Sequence, residues 1–144
     1  MNNDSQKRNE IKCRVYFSET DSGNVVYFSN YMKYMEIGFC EWFRQYIVPL
    51  SELKKLNNIF MAVKKCDGNF KKSLRYDDEY IICTELSNIR NYSISFTVYI
   101  YKDQQIYFQG SITLVALNSI TGNHMPLPEN IVTKVRKIYE NVID

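Results

Sequence analysis

Apolar and polar residues alternate most cleanly over residues 93–102. Ile94, Phe96, Val98 and Ile100 point one way there, and Ser95, Thr97, Tyr99 and Tyr101 the other. A period of two predicts a strand with one buried face. Residues 59–66, 79–88 and 106–117 share that character. Asn91 and Asp103-Gln104-Gln105 sit where the intervening hairpin turns belong. Residues 11–17 predict one more strand, with Ile11, Cys13, Val15 and Phe17 on one face.

Residues 29–47 obey a different period. At about 100° per residue, Tyr31, Met35, Trp42 and Tyr46 form one stripe with Gly38 beside it. Met32, Phe39 and Phe43 widen the apolar arc, while Lys33, Glu41 and Arg44 gather opposite. So broad an arc implies a helix buried over most of its circumference. Ser29 or Asn30 is placed to cap its start. Val48-Pro49 ends it, because the residue before a proline avoids helical angles. Residues 51–57 suit a short helix. Pro128 opens a last one, running to about residue 142, since the first turn tolerates proline. Residues 18–24 and 122–126 are polar and turn-rich, hence loops. One long buried helix against an antiparallel sheet is an α+β architecture, a class that specifies no function by itself.

The chain has 144 residues, enough for one domain with one core. We assign it to residues 11–144 and expect residues 1–10, which are polar, to be a disordered tail. A composition 45% hydrophobic and 24% charged is that of a globular protein. The formal charge of +2 lacks the basic excess of a nucleic-acid binder, yet leaves room for a local cationic patch. Twelve Tyr and eight Phe suit half-buried sheet faces and subunit interfaces. No apolar segment resembles a signal peptide or is long enough to span a bilayer, so a cytoplasmic location is expected. Cys13, Cys40, Cys66 and Cys83 are scattered without a Cys-x-x-Cys pair, which predicts reduced thiols and no metal knuckle. His124 is the single histidine and lies in a late loop beside prolines. A Ser-His-Asp or Cys-His arrangement would rest on it alone, and one histidine argues against zinc.

The segment that links the first strand to the buried helix, residues 17–31, carries the most chemistry. A carboxylate there precedes a helix N-terminus, whose free N–H groups favour negative charge. Such groups hold a carbonyl oxygen as it becomes an oxyanion, while a nearby carboxylate attacks the carbonyl or activates water. Asp21 is the candidate. The same residues also have a plain structural reading, in which Asp21 caps a turn and the apolar residues after it pack.

Glu19-Thr20-Asp21-Ser22-Gly23-Asn24-Val25-Val26-Tyr27-Phe28-Ser29-Asn30-Tyr31, followed by Glu36 and Glu41-Trp42-Phe43-Arg44, resembles the signature of the 4-hydroxybenzoyl-CoA thioesterase family of hotdog proteins. The familiar form there is Asp-Thr-Asp, a small-residue turn, Val-Val-Tyr, and Asn-Tyr at the head of the central helix. The likeness continues through residues 71–78, residues 86–93 and Met125-Pro126-Leu127-Pro128, and covers about residues 11–135. It implies a five-stranded antiparallel sheet wrapped round the long helix. It implies dimers joined edge to edge, often paired into homotetramers, with active sites at the dimer interface. It implies an acyl-CoA thioesterase in which Asp21 matches the catalytic Asp and the backbone N–H groups of Tyr27 and Phe28 match the oxyanion-binding turn. Asn30, Tyr31 and Glu36 are then expected at the substrate. The phosphates of CoA require cations; Lys71, Lys72 and Arg75 are candidates, and Arg90 best matches the family's nucleotide-contacting loop. CoA is part of the substrate, so no cofactor is expected.

Two positions depart from the pattern. Glu19 replaces the usual first Asp, and Phe28 stands where many relatives carry His, which removes a side chain but not a backbone donor. A second likeness, in Glu-Thr and Gly-Asn-Val-x-Tyr, is to the hotdog thioesterases of enediyne polyketide synthesis. Those act on carrier-protein thioesters and generally have Asn where this chain has Asp21. The alternatives are therefore an acyl-carrier-protein thioesterase of a polyketide or fatty-acid pathway, or a non-catalytic acyl-binding hotdog protein. A hotdog dehydratase, which typically pairs a His with a carboxylate, fits poorly.

Overall fold

The computed structural model describes residues 7–143. The elements are β1 (Arg8–Arg14), α1 (Asn30–Tyr46), α2 (Leu50–Asn57), β2 (Ile59–Phe70), β3 (Glu79–Ile89), β4 (Ser93–Lys102), β5 (Gln105–Asn118) and α3 (Glu129–Ile143). The strands form one antiparallel sheet in the order β1-β3-β4-β5-β2, which leaves β1 and β2 at its edges. One face of the sheet packs on α1, the arrangement that the hotdog resemblance implies.

The alternation over β4 is realised as read: Ile94, Phe96, Val98 and Ile100 are buried, and the residues between them are half-buried. Along α1 the buried set is Tyr31, Tyr34, Met35, Gly38, Phe39, Trp42 and Phe43. Trp42 meets Phe96 at a ring-centroid distance of 4.9 Å, and Tyr31 meets Phe108 at 4.9 Å. Midway between these contacts the helix lies so close to β3 that a Cβ on Gly38 would stand 2.3 Å from Thr84 Oγ1. Glycine is therefore the residue this approach requires. α3 buries Ile131, Val135 and Ile138, and its Lys134 Nζ reaches the Ile47 carbonyl near the end of α1 at 3.4 Å.

Several boundaries differ from the sequence expectation. The first strand begins at Arg8 rather than residue 11. Tyr46 Oη and Trp42 Nε1 donate to the carbonyls of Arg8 and Lys7, tying the start of β1 to the end of α1. The expected tail thus narrows, and its first six residues lie outside the described ones. The strand also stops early. Phe17 begins a 3-10 turn (Phe17–Glu19) and is 74% exposed, stacked on Tyr76 instead of facing the core. β2 runs on to Phe70, past the expected end at residue 66, because Asp67, Gly68, Asn69 and Phe70 stay paired with Ser111, Gly110, Gln109 and Phe108 of β5; a register shift between Val63 and Lys65 lies within the expected stretch. Met32 is 40% exposed and so lies outside the seam. Ser29 occupies the N-cap position of α1 without a side-chain cap bond. The four cysteines are free, but only Cys83 is fully buried, and burial pushes its thiol up to about 11. No helix among the described residues is long and apolar enough to cross a membrane.

Candidate active site

Residues 20–26 make a tight hairpin. Thr20 bridges Val26, the Asp21 N–H donates to the Val25 carbonyl at 2.9 Å, and the Asn24 N–H donates to the Asp21 carbonyl at 3.0 Å. Asp is favoured at the first position of such a turn, and Asn tolerates the left-handed conformation found at Asn24, φ 63°. Asp21 Oδ1 accepts the Gly23 N–H at 2.8 Å. A Cβ on Gly23 would lie 3.2 Å from that oxygen, so a small residue keeps the bond relaxed. Asp21 is half-buried, and its Oδ2 has no hydrogen-bond partner among the described residues. The turn therefore orients the carboxylate through one oxygen and leaves the other available.

The hairpin is clamped from both sides. The Val26 N–H donates to the Leu74 carbonyl at 2.8 Å, and Val25 bridges Arg75. On the other side the Glu19 carbonyl accepts the Tyr27 N–H at 2.8 Å and the Asn30 side-chain amide at 2.9 Å. The Glu19 carboxylate accepts the Tyr16 N–H and the Tyr34 hydroxyl, each at 2.8 Å. Burial pushes the Tyr34 phenol, and that of its neighbour Tyr80, well above the usual tyrosine range. Glu19 at the place of the usual Asp is thus an anchor for the turn, and Asn30 acts as a brace.

The chain then enters α1 through tight i to i+3 bonds: Asn30 N–H to Tyr27 O, Tyr31 N–H to Phe28 O and Met32 N–H to Ser29 O. This leaves the Phe28 and Ser29 N–H groups without a partner among the described residues. Of the two amides singled out from sequence, Tyr27's is engaged and Phe28's is free. Ser29's was not foreseen, although the first donors of any helix are its unsatisfied ones.

Asp21, Phe28, Tyr31, Phe70, Lys71 and Lys72 border one cleft of about 300 Å³. The Lys72 ammonium bonds Gln105 and lies 5.8 Å from the Tyr107 ring centroid. The Lys71 ammonium has no partner among the described residues. Two expected residues stand apart. Glu36 is exposed, farther along α1, and lines a separate hollow of about 370 Å³ with Met32, Phe39, Val63 and Cys66. Arg90 lies in the turn after β3, where its N–H donates to Ser93 O at 2.8 Å. β3 starts at Glu79, beside the Asp21 hairpin, and spans roughly 30 Å before that turn. Arg90 therefore cannot reach the cleft of its own chain. His124 is exposed and pairs with Leu117, remote from Asp21.

The sequence profile described as the thioesterase-like superfamily matches residues 15–135. The acyl-CoA thioester hydrolase YbgC of Escherichia coli is 26% identical over 125 residues, covering 86% of this chain and 92% of that protein. The acyl-CoA thioesterase YbgC of Helicobacter pylori is 46% identical over 43 residues, 29% of this chain and 32% of its own. Among solved structures, a DHNA-CoA thioesterase from Staphylococcus aureus superposes with a TM-score of 0.84 at 18% identity, over 94% of this chain and 91% of that one.

Proposed function

The chain belongs to the thioesterase-like superfamily, and from that premise we propose that it hydrolyses acyl-CoA thioesters at the Asp21 cleft. The observation that carries the reading is the coincidence, at one helix entrance, of a carboxylate oxygen and a backbone amide that are both free: Asp21 Oδ2 and the Phe28 N–H. The thioester carbonyl oxygen sits against the Phe28 and Ser29 N–H groups, which gain most as it becomes an oxyanion. Asp21 Oδ2 faces the carbonyl carbon. It either takes a proton from an attacking water or attacks directly to give a mixed anhydride that water opens; in both routes the C–S bond breaks and CoA leaves as a thiolate that is then protonated. Phe28, Tyr31 and Phe70 provide the apolar wall for the acyl group, and Lys71 a cation at the mouth.

The site is completed by a second copy. β2 is a twelve-residue edge strand whose outer side is unpaired among the described residues. Phe60, Val63 and Phe70 on it, and Phe28 and Met32 beside it, are exposed apolar residues. A long edge of this kind is a template for pairing, and its apolar flank is area that a partner would bury. A homo-oligomer joined there places a second chain beside the cleft, the arrangement in which Arg90, out of reach of its own cleft, takes part.

Hydrolysis of a panel of acyl-CoA thioesters by the purified protein, followed by thiol release, tests the proposal. Release from at least one CoA thioester is expected. No release from any acyl-CoA, with hydrolysis of acyl-carrier-protein thioesters or of nothing, would overturn it.

A further inference from the structure

Phe17 and Tyr76 lie face to face, with ring centroids 4.1 Å apart and planes 7° from parallel. Both are in water: Phe17 is 74% exposed and Tyr76 45%. Neither contributes to the core, and neither is used by the hydrolytic site described above. Their place in the chain is specific. Phe17 is four residues before Asp21, so connectivity alone keeps the two Cα atoms within about 14 Å. Tyr76 is three residues beyond Ser73, which lines the Asp21 cleft. Arg75, next to Tyr76, bridges Val25, which lines the cleft, and the Phe17 carbonyl accepts the Thr20 N–H at 3.1 Å, so the stack is held beside the hairpin that carries Asp21.

The charges around it select the kind of ligand. Asp77 and Asp78, which follow Tyr76, are each ion-paired: Arg14, which also pairs Glu79, lies 3.5 Å from Asp77, and Lys102, which also pairs Asp103, lies 3.4 Å from Asp78. The side chains of Lys71 and Arg75 have no ionic or hydrogen-bond partner among the described residues. A flat aromatic surface flanked by free cations suits a planar heterocycle that carries phosphates, because bases stack on aromatic faces while phosphates seek lysine and arginine. We propose that the Phe17–Tyr76 pair is a stacking platform for the adenine ring of coenzyme A, with Arg75 and Lys71 receiving its phosphates. The proposal rests on the thioesterase reading and deepens it: the same chain that supplies Asp21 grips the nucleotide end of the leaving group. The pantetheine arm then spans the distance from stack to cleft.

Calorimetric titration with free coenzyme A and with 4′-phosphopantetheine tests this without requiring turnover. Phe17→Ala and Tyr76→Ala alter exposed rings, so both variants are expected to keep the wild-type melting temperature. Each is expected to weaken coenzyme A binding by about tenfold, the loss of one base–aromatic contact, and to leave phosphopantetheine binding unchanged. Tyr76→Phe is expected to bind coenzyme A as the wild type does. Unchanged coenzyme A affinity in both alanine variants, or equal losses on the two ligands, or wild-type protein that does not distinguish the two ligands, would overturn the platform. The thioesterase reading is judged separately, by hydrolysis: acyl-CoA turnover with an unperturbed Tyr76→Ala titration leaves the hydrolase standing and removes the platform.

Discussion

Gly38→Ala tests whether the central helix sits on the sheet as closely as described. The added Cβ would lie 2.3 Å from Thr84 Oγ1 and 3.2 Å from Ile82 Cγ2. Thr84 is fully buried, so its side chain has no solvent to swing into. Relief requires α1 and β3 to separate by about an ångström, which is overpacking worth about 1–3 kcal/mol. Alanine's better helix propensity offsets about 0.5–1 kcal/mol of that. The net expectation is a loss of about 1–2 kcal/mol, or roughly 3–8 °C in Tm for a domain of this size. The Thr84 hydroxyl has no hydrogen-bond partner among the described residues, so Thr84→Ala alone should cost little. In the double variant it should restore most of the loss, giving a coupling of at least about 1 kcal/mol in a double-mutant cycle. Urea and thermal unfolding of the four proteins supply the data. Gly38→Ala as stable as the wild type, or a double variant no better than the single one, would refute the reasoning.

Three further outcomes are expected. In solution the mass by light scattering should be at least twice the chain's 17.1 kDa, and a mass of one chain would contradict the shared site. Burial raises the Tyr34, Tyr80 and Cys83 groups above their ordinary values of 10.0 and 9.0, so the folded state favours their neutral forms. As pH rises past those values the unfolded chain releases these protons first, so stability present at neutral pH is lost on the alkaline side; a Tm that did not fall between about pH 9 and 11 would show the groups to be unperturbed. Arg90→Ala should raise KM for an acyl-CoA by about five- to a hundredfold with little change in kcat, and much less for the matching pantetheine thioester. Equal effects on both substrates would deny Arg90 a nucleotide contact.

Much of the fold was legible because side-chain period records burial directly. The β4 alternation and the α1 stripe both read through to the structure. Phe17 misled because its parity with Ile11, Cys13 and Val15 continues past the last rung of the ladder, and nothing local marks where pairing stops. The end of β2 was hidden because Asp67, Gly68 and Asn69 carry no apolar alternation, and only their pairing with β5 makes them strand. At the candidate site the Asp21 turn was legible from Asp, Gly and Asn at fixed spacing. The state of each backbone amide was not. Whether Tyr27 or Phe28 offers a free N–H depends on the Glu19 carbonyl eight residues back, and the clamp on Val26 comes from Leu74, far along the chain. Main-chain donors leave no trace in residue identity. Arg90 shows the same limit: its loop reads as nucleotide-contacting, but only the length of β3 reveals that its own cleft is out of reach.

The central claim is that Asp21 Oδ2 does the chemistry, and Asp21→Asn tests it most directly. Asparagine keeps an Oδ1 to accept the Gly23 N–H, so the hairpin and its clamps should survive. The variant should match the wild type in Tm and oligomeric mass. Its kcat should fall by about a hundred- to ten-thousandfold, the contribution of a positioned carboxylate. A folded Asp21→Asn protein that retains most of the wild-type kcat would contradict the account.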